Sequence, residues 1–80
     1  MALVTVAELT RAAAEGGYAV GAFNLNNMEI LQAVIAAAEE ERSPVILQAS
    51  QGGLKYAGID YIAAMARVAA ENASVPVALN

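Results

Sequence analysis

An α/β fold built on a parallel sheet is predicted by three features of the sequence. Val45-Ile46-Leu47 follows Pro44 as an unbroken apolar run, and the chain then turns polar and glycine-rich at Gln48-Ala49-Ser50-Gln51-Gly52-Gly53. A short apolar run without alternation suits a strand buried on both faces, as in parallel sheets. Helix-type and strand-type patterns also alternate along the chain, which implies right-handed crossovers between parallel strands. Finally, Ser43-Pro44-Val45 is echoed by Val75-Pro76-Val77, 32 residues later, about one β/α unit. The small and β-branched residues of these strands suit a tightly curved barrel interior.

The elements follow in order. Thr5 caps a first helix, with Glu8 completing a capping-box spacing; Val6, Leu9 and Ala13 share one face and Gly16-Gly17 stops it. Ala19 to Phe23 reads as a short strand of small residues, ended by Asn24-Leu25-Asn26-Asn27. Asn26 with Glu29 makes a second capping pattern, opening a helix whose apolar face is Ile30, Leu31, Val34, Ile35 and Ala38. Glu39-Glu40-Glu41-Arg42 ends that helix on solvent, and Pro44 forces the preceding residue out of helical geometry. After the central strand, Ser50 to Gly58 reads as a polar loop. A third helix runs from about Ile59 to Asn72 with Ile62, Met65, Ala66 and Ala69 inward, and Ser74 to Leu79 begins another strand.

Composition narrows the function. Eighty residues make at most one small domain, and such a chain buries only about 60% of its unfolded surface. The absence of cysteine removes disulfides and fits a reducing cytoplasm; the absence of histidine removes the commonest metal ligand and general base. A net charge of −4 with scattered basic residues argues against nucleic acid. Met1-Ala2-Leu3-Val4 shows no basic signal-peptide start, and no apolar run approaches the ~18 residues of a membrane span. A soluble, cytoplasmic segment is expected.

Several motifs fail their context. Gly53 and Gly58 stand at phosphate-loop spacing, but Ile59-Asp60 replaces the required Lys-Ser/Thr. Gly16 to Gly21 precedes a strand, whereas a dinucleotide fingerprint follows one. Asn72-Ala73-Ser74 matches a glycosylation sequon without a signal sequence to bring it into use. Glu39-Glu40-Glu41 is a solvated helix end. Asn24 and Ser50 differ from these, because each directly follows a strand at the equivalent point of successive β/α units, where such folds gather ligand groups. Asn and Ser also hydrogen-bond nearby backbone at loop starts, so capping competes with binding. Gln48 lies two residues before Ser50, and strand alternation sends both to one side, where neutral polar groups can orient a polyol. Lys55 is the one cation near this mouth, read as solvated ahead of phosphate-binding.

At these residues the sequence resembles the beginning of class II fructose-1,6-bisphosphate aldolases. The blocks are Gly17-Tyr18-Ala19-Val20-Gly21-Ala22-Phe23-Asn24, Asn27-Met28-Glu29, Ser43 to Gly52, Lys55-Tyr56-Ala57-Gly58 and Val75-Pro76-Val77-Ala78-Leu79. They cover essentially the whole chain in order. Aldolases acting on tagatose bisphosphate share many of them, so either sugar fits the parent enzyme. The resemblance implies an N-terminal helix and the first β/α units of a TIM (β/α)8 barrel, so that residues 1–80 form a single partial barrel segment truncated after the third strand. It implies zinc as the parent family's cofactor, polarising the ketone of dihydroxyacetone phosphate while the enediolate adds to glyceraldehyde 3-phosphate. By position, Asn24 is similar to the asparagine that hydrogen-bonds substrate near the reacting carbons. Ser50 is similar to the serine that contacts the glyceraldehyde phosphate portion, and Gln48 to a lining residue.

One departure changes the expectation. In the family Val-Ala-Leu is followed by His-Leu-Asp-His-Gly, which carries the proton-shuttling aspartate and the first zinc-ligand histidine; here Asn80 stands in the first position. With no catalytic residue or metal ligand in the chain, the resemblance implies a segment inert on its own. A self-assembling β/α module, natural or engineered, is the alternative. A sheet cut from a barrel would have two open edges, and its inner face would carry Val20, Ala22, Ile46 or Val45, and Val77 or Ala78. That predicts a homo-oligomer through the open edges, or a poorly folded monomer.

Overall fold

The computed structural model describes residues 3–80. Helix α1 (Val6–Gly16) begins where the Thr5 hydroxyl accepts from the Glu8 N–H at 3.1 Å, and it ends at Gly17 in the left-handed region, φ 72°. Gly17 carries that conformation without the steric cost a side chain would impose. Strand β1 (Gly21–Asn24) follows, then helix α2 (Met28–Glu40) and strand β2 (Val45–Gln48). A short helix α3 (Gln51–Ala57), a longer helix α4 (Ile59–Asn72) and strand β3 (Val77–Leu79) complete the order. The strands form one parallel sheet ordered β1-β2-β3.

Four expectations are corrected. Asn27, not Asn26, caps α2, its side-chain oxygen accepting from the Ile30 N–H at 2.8 Å; Asn27 is the last extended residue, φ −152°, so the helix starts after it. Ser50 to Gly58 is not a loop: Ser50 caps α3, and the Leu54 N–H donates to the Ser50 carbonyl to close its first turn. Two glycines in that turn weaken helical propensity by about 1 kcal/mol each, which hid the helix; packing of Leu54 and Ala57 on the core offsets that cost. The outer strands are shifted, β1 running Gly21–Asn24 and β3 Val77–Leu79; β3 begins after Pro76, which has no N–H to give the ladder. Ile30, placed on the apolar face of α2, is exposed at its first turn, whereas Leu31 and Ala38 are buried.

Alternation along the strands divides the core in two. On one face Val45, Leu47 and Val77 pack with Leu31 and Ala38 of α2 and Ile62, Ala66 and Ala70 of α4. On the other, Ile46 and Ala78 pack with Leu9 of α1, beside Val4, Val6 and Val20. The expected bare inner face is therefore covered at Ile46 and Ala78, because α1 lies across it. The edge at β3 is also occupied: the Val4 N–H donates to the Val77 carbonyl at 2.9 Å, and Val4 bridges Ala78 in parallel. Leu3 packs with the first cluster and Val4 with the second, so this short stretch alternates as a strand does. Among the described residues the edge at β1 carries no such strap, and all four of its residues are exposed.

Candidate functional site

The carboxyl ends of the three strands lie side by side. Asn24 pairs in register with Gln48, and the Leu25 N–H donates to the Gln48 carbonyl at 2.7 Å. The Asn80 N–H donates to the Leu47 carbonyl at 2.8 Å, and the Ala49 N–H donates to the Asn80 carbonyl at 3.2 Å. In a parallel ladder that pattern sets Asn80 opposite Gln48, one rung past β3. Ala22, Ile46 and Ala78 form the corresponding row two residues earlier. Side chains two apart share a face, so Asn24, Gln48 and Asn80 stand on the face that α1 covers lower down. Helix α1 thus floors the amino half of this face and leaves the carboxyl half open, with Asn24 and Asn80 exposed and Gln48 half-buried.

Ser50 lies just beyond this row. Its hydroxyl oxygen accepts from the Gly53 N–H at 3.1 Å, so the capping role weighed against binding is present. A serine hydroxyl retains its own O–H and a second lone pair after that bond, and Ser50 is exposed. Gly53 leaves room for the Asn26 side chain here: a Cβ on it would stand 2.8 Å from the Asn26 side-chain oxygen, which would have to turn aside, and 3.6 Å from the Leu25 carbonyl. The close approach of α3 to the turn after β1 draws the first two β/α loops together. A shallow cleft of about 240 Å³ remains between them, lined by Asn26, Asn27, Ile30, Gly52, Gly53 and Tyr56. Lys55 is exposed in the last turn of α3, where a cation complements the helix dipole.

The donors at this mouth do not make a zinc site. Zinc is held by imidazole, thiolate or carboxylate groups. The sequence has no His and no Cys, and no three His, Cys, Asp or Glu residues gather among the described ones. What the mouth offers is neutral: three carboxamides and a hydroxyl, suited to hydrogen-bonding hydroxyl groups. Asn80 was legible in the sequence only as a departure from a family pattern. Its place beside Gln48 depends on strand register, which no local signal carries.

The model of the class II fructose-bisphosphate aldolase family matches residues 4–80. A fructose-bisphosphate aldolase of Thermus caldophilus is 51% identical over 78 residues, covering 98% of this chain and 25% of that enzyme. The plasmid fructose-bisphosphate aldolase of Cupriavidus necator is 49% identical over 81 residues, covering all of this chain and 24% of that enzyme. Among solved structures, the YdjI aldolase of Escherichia coli K12 superposes with a TM-score of 0.84 at 35% identity, over 96% of this chain and 30% of that one. The chain therefore spans about a quarter of the length of the curated relatives it matches. These neighbours are aldolases of TIM-barrel fold, and the three parallel strands here form part of one. The chain belongs to the class II fructose-bisphosphate aldolase family, of whose members it corresponds to the N-terminal segment.

Proposed function

We propose that this chain supplies the floor and the first substrate-orienting groups of an aldolase that reversibly cleaves fructose 1,6-bisphosphate, and that it is inert when alone. The observation that carries the reading is the polar row at the carboxyl ends of adjoining parallel strands, where barrel enzymes place their active sites. In this reading Asn24 hydrogen-bonds the substrate near its reacting carbons, Ser50 meets the glyceraldehyde phosphate portion, and Gln48 lines the site between them. The metal ligands and the proton-transfer group of the zinc-dependent family come from chain beyond these strands, in a cytoplasmic enzyme. Tagatose bisphosphate remains the competing sugar.

Two measurements test this. The purified 80-residue chain is expected to show no chelator-sensitive cleavage of fructose 1,6-bisphosphate; turnover abolished by a chelator would overturn the reading. In a longer aldolase chain carrying this segment, Asn24→Ala and Ser50→Ala should each lower turnover and leave zinc content unchanged. Loss of metal in Ser50→Ala would contradict its assignment as a substrate group.

A second reading is favoured by the bare edge of β1. Unpaired N–H and C=O groups on an exposed edge strand template further pairing, so the isolated chain self-associates there. Sedimentation equilibrium at micromolar concentration tests it, and a compact, cooperatively melting monomer would refute it.

A further inference from the structure

We propose that the groove between α2 and α4 docks one amphipathic helix of a partner protein, apolar along one stripe and basic on both flanks. The groove, about 580 Å³, runs between two helices that lie parallel because each crosses between parallel strands. The Ser74 hydroxyl donates to the Glu39 carboxylate at 3.3 Å, tying the carboxyl end of α2 to the residues just beyond α4. On α2 the lining residues Met28, Gln32, Ile35 and Glu39 recur at steps of four, three and four; on α4 Met65, Val68 and Asn72 follow the same rule. Stripes of that spacing receive a further helix side by side, as in coiled coils and bundles. From Met28 to Glu39 the groove is about 16 Å long, three turns of a docked helix. Its walls are apolar yet open to water: Met28 is 53% and Val68 57% exposed. The flexible Met28 and Met65 side chains can adapt those walls to the apolar residues of an incoming helix.

The charges around the groove select the occupant. Glu29 stands three residues before Gln32 and Glu40 four after Ala36, so both border the α2 wall. Asp60 stands four residues before Ala64 and Glu71 three after Val68, so both border the α4 wall. All four are exposed, and Glu39 adds a carboxylate at one end. Against these acids the two helices carry Arg67, on the α4 side. An apolar floor between acidic banks complements lysines or arginines set on either side of an apolar stripe, which is recognition of a helix in a groove. A second copy of this chain fits badly, because laid face to face in either direction it brings acidic banks against acidic banks. The groove is lined by helix residues alone and shares none with Asn24, Gln48 or Ser50, so the proposal stands apart from the sugar-phosphate reading.

The probe is a labelled synthetic helix of about 18 residues, with leucines at alternating steps of three and four and lysines on both flanks. Its counterpart carries glutamates in place of the lysines. Fluorescence anisotropy at low salt should show the lysine helix binding about tenfold more tightly than the glutamate helix, with the difference shrinking at about 0.5 M salt. Val68→Ser, at an exposed position that leaves the fold intact, should weaken binding of the lysine helix about tenfold by removing an apolar anchor. Glu29→Lys combined with Glu40→Lys should reverse the preference between the two helices. Equal binding of both helices, or an unmoved affinity in Val68→Ser, would overturn the proposal. A dimer of the 80-residue chain that Val68→Ser dissociates in sedimentation would assign the groove to a second copy and overturn it as well. The same titrations on a longer aldolase chain carrying this segment should give the same order of affinities. No binding there would overturn the groove as a docking surface of the enzyme.

Discussion

Ala22 and Ala78 are the same residue, each paired in register with Ile46 from opposite sides, yet Ala22 is exposed and Ala78 is wholly buried. The strands they sit in are both edges of one small sheet. What differs is the cover supplied by distant chain. Val4 runs along the free edge of β3 and Leu9 of α1 lies over Ala78, with α4 packed on the opposite face. Beside β1 lies an open groove of about 400 Å³, lined in part by Phe23, Val34, Ala37 and Pro44. An edge strand is therefore buried by its neighbours, and its own residues do not decide the matter. The protected edge is the one the N-terminal segment reaches.

The largest expected contrast comes from placing a charge on each edge. Ala78→Asp would bury a carboxylate among Leu9, Ile46 and Val4, costing several kcal/mol against the few that a domain of this size holds. Cooperative urea unfolding followed by circular dichroism should be lost. Ala22→Asp should stay within about 0.5 kcal/mol of the parent, as exposed substitutions do. Equal losses in the two variants would mean that the edges are alike in solution.

Leu9→Ala attacks the cover alone. Truncating a buried leucine costs about 2–5 kcal/mol. Hydrogen exchange should quicken first at the Val4 amide, which bonds to β3, while amides between β1 and β2 lose less protection. Uniform loss across the sheet would show that α1 supports both edges.

Thr5→Ala removes the cap of α1 and should cost about 1 kcal/mol. Asn27→Ala removes the matching cap of α2, with a similar loss of about 1 kcal/mol. Only the first should also loosen the Val4 strap, which exchange at that amide would reveal. The smallest change in stability is expected for Phe23→Lys. That side chain is half exposed, so stability should move by less than about 0.5 kcal/mol. A lysine on a bare edge opposes pairing, so the sedimentation mass should fall toward that of the monomer. An unchanged mass would place any self-association elsewhere.

Local chemistry made α1, α2, β2 and α4 legible. Thr5 and Glu8, Gly17, the Pro44 boundary and the helical spacing of Ile62, Met65, Ala66 and Ala69 each act within a few residues. Asn24, Gln48 and Ser50 were legible as candidates for the same reason, since each follows or ends a strand within its own β/α unit. Helix α3 was not, because its glycines argue against it locally and Leu54 and Ala57 find their support only in the assembled core. The choice between Asn26 and Asn27 as cap was likewise hidden, as both residues have the same chemistry and only the backbone path separates them.

By itself the sequence determined the alternation of helices and strands apart from α3, the parallel sheet, the family and the polar character of the strand ends. Only the tertiary structure decided that α1 crosses the inner face, that Val4 straps β3 while β1 stays bare, and that Asn80 aligns with Gln48 and Asn24. Caps and hydrophobic periodicity are short-range signals that show a surface must be covered. Which surface covers it depends on competition among all the apolar faces of the folded chain, and strand register is settled in that same competition.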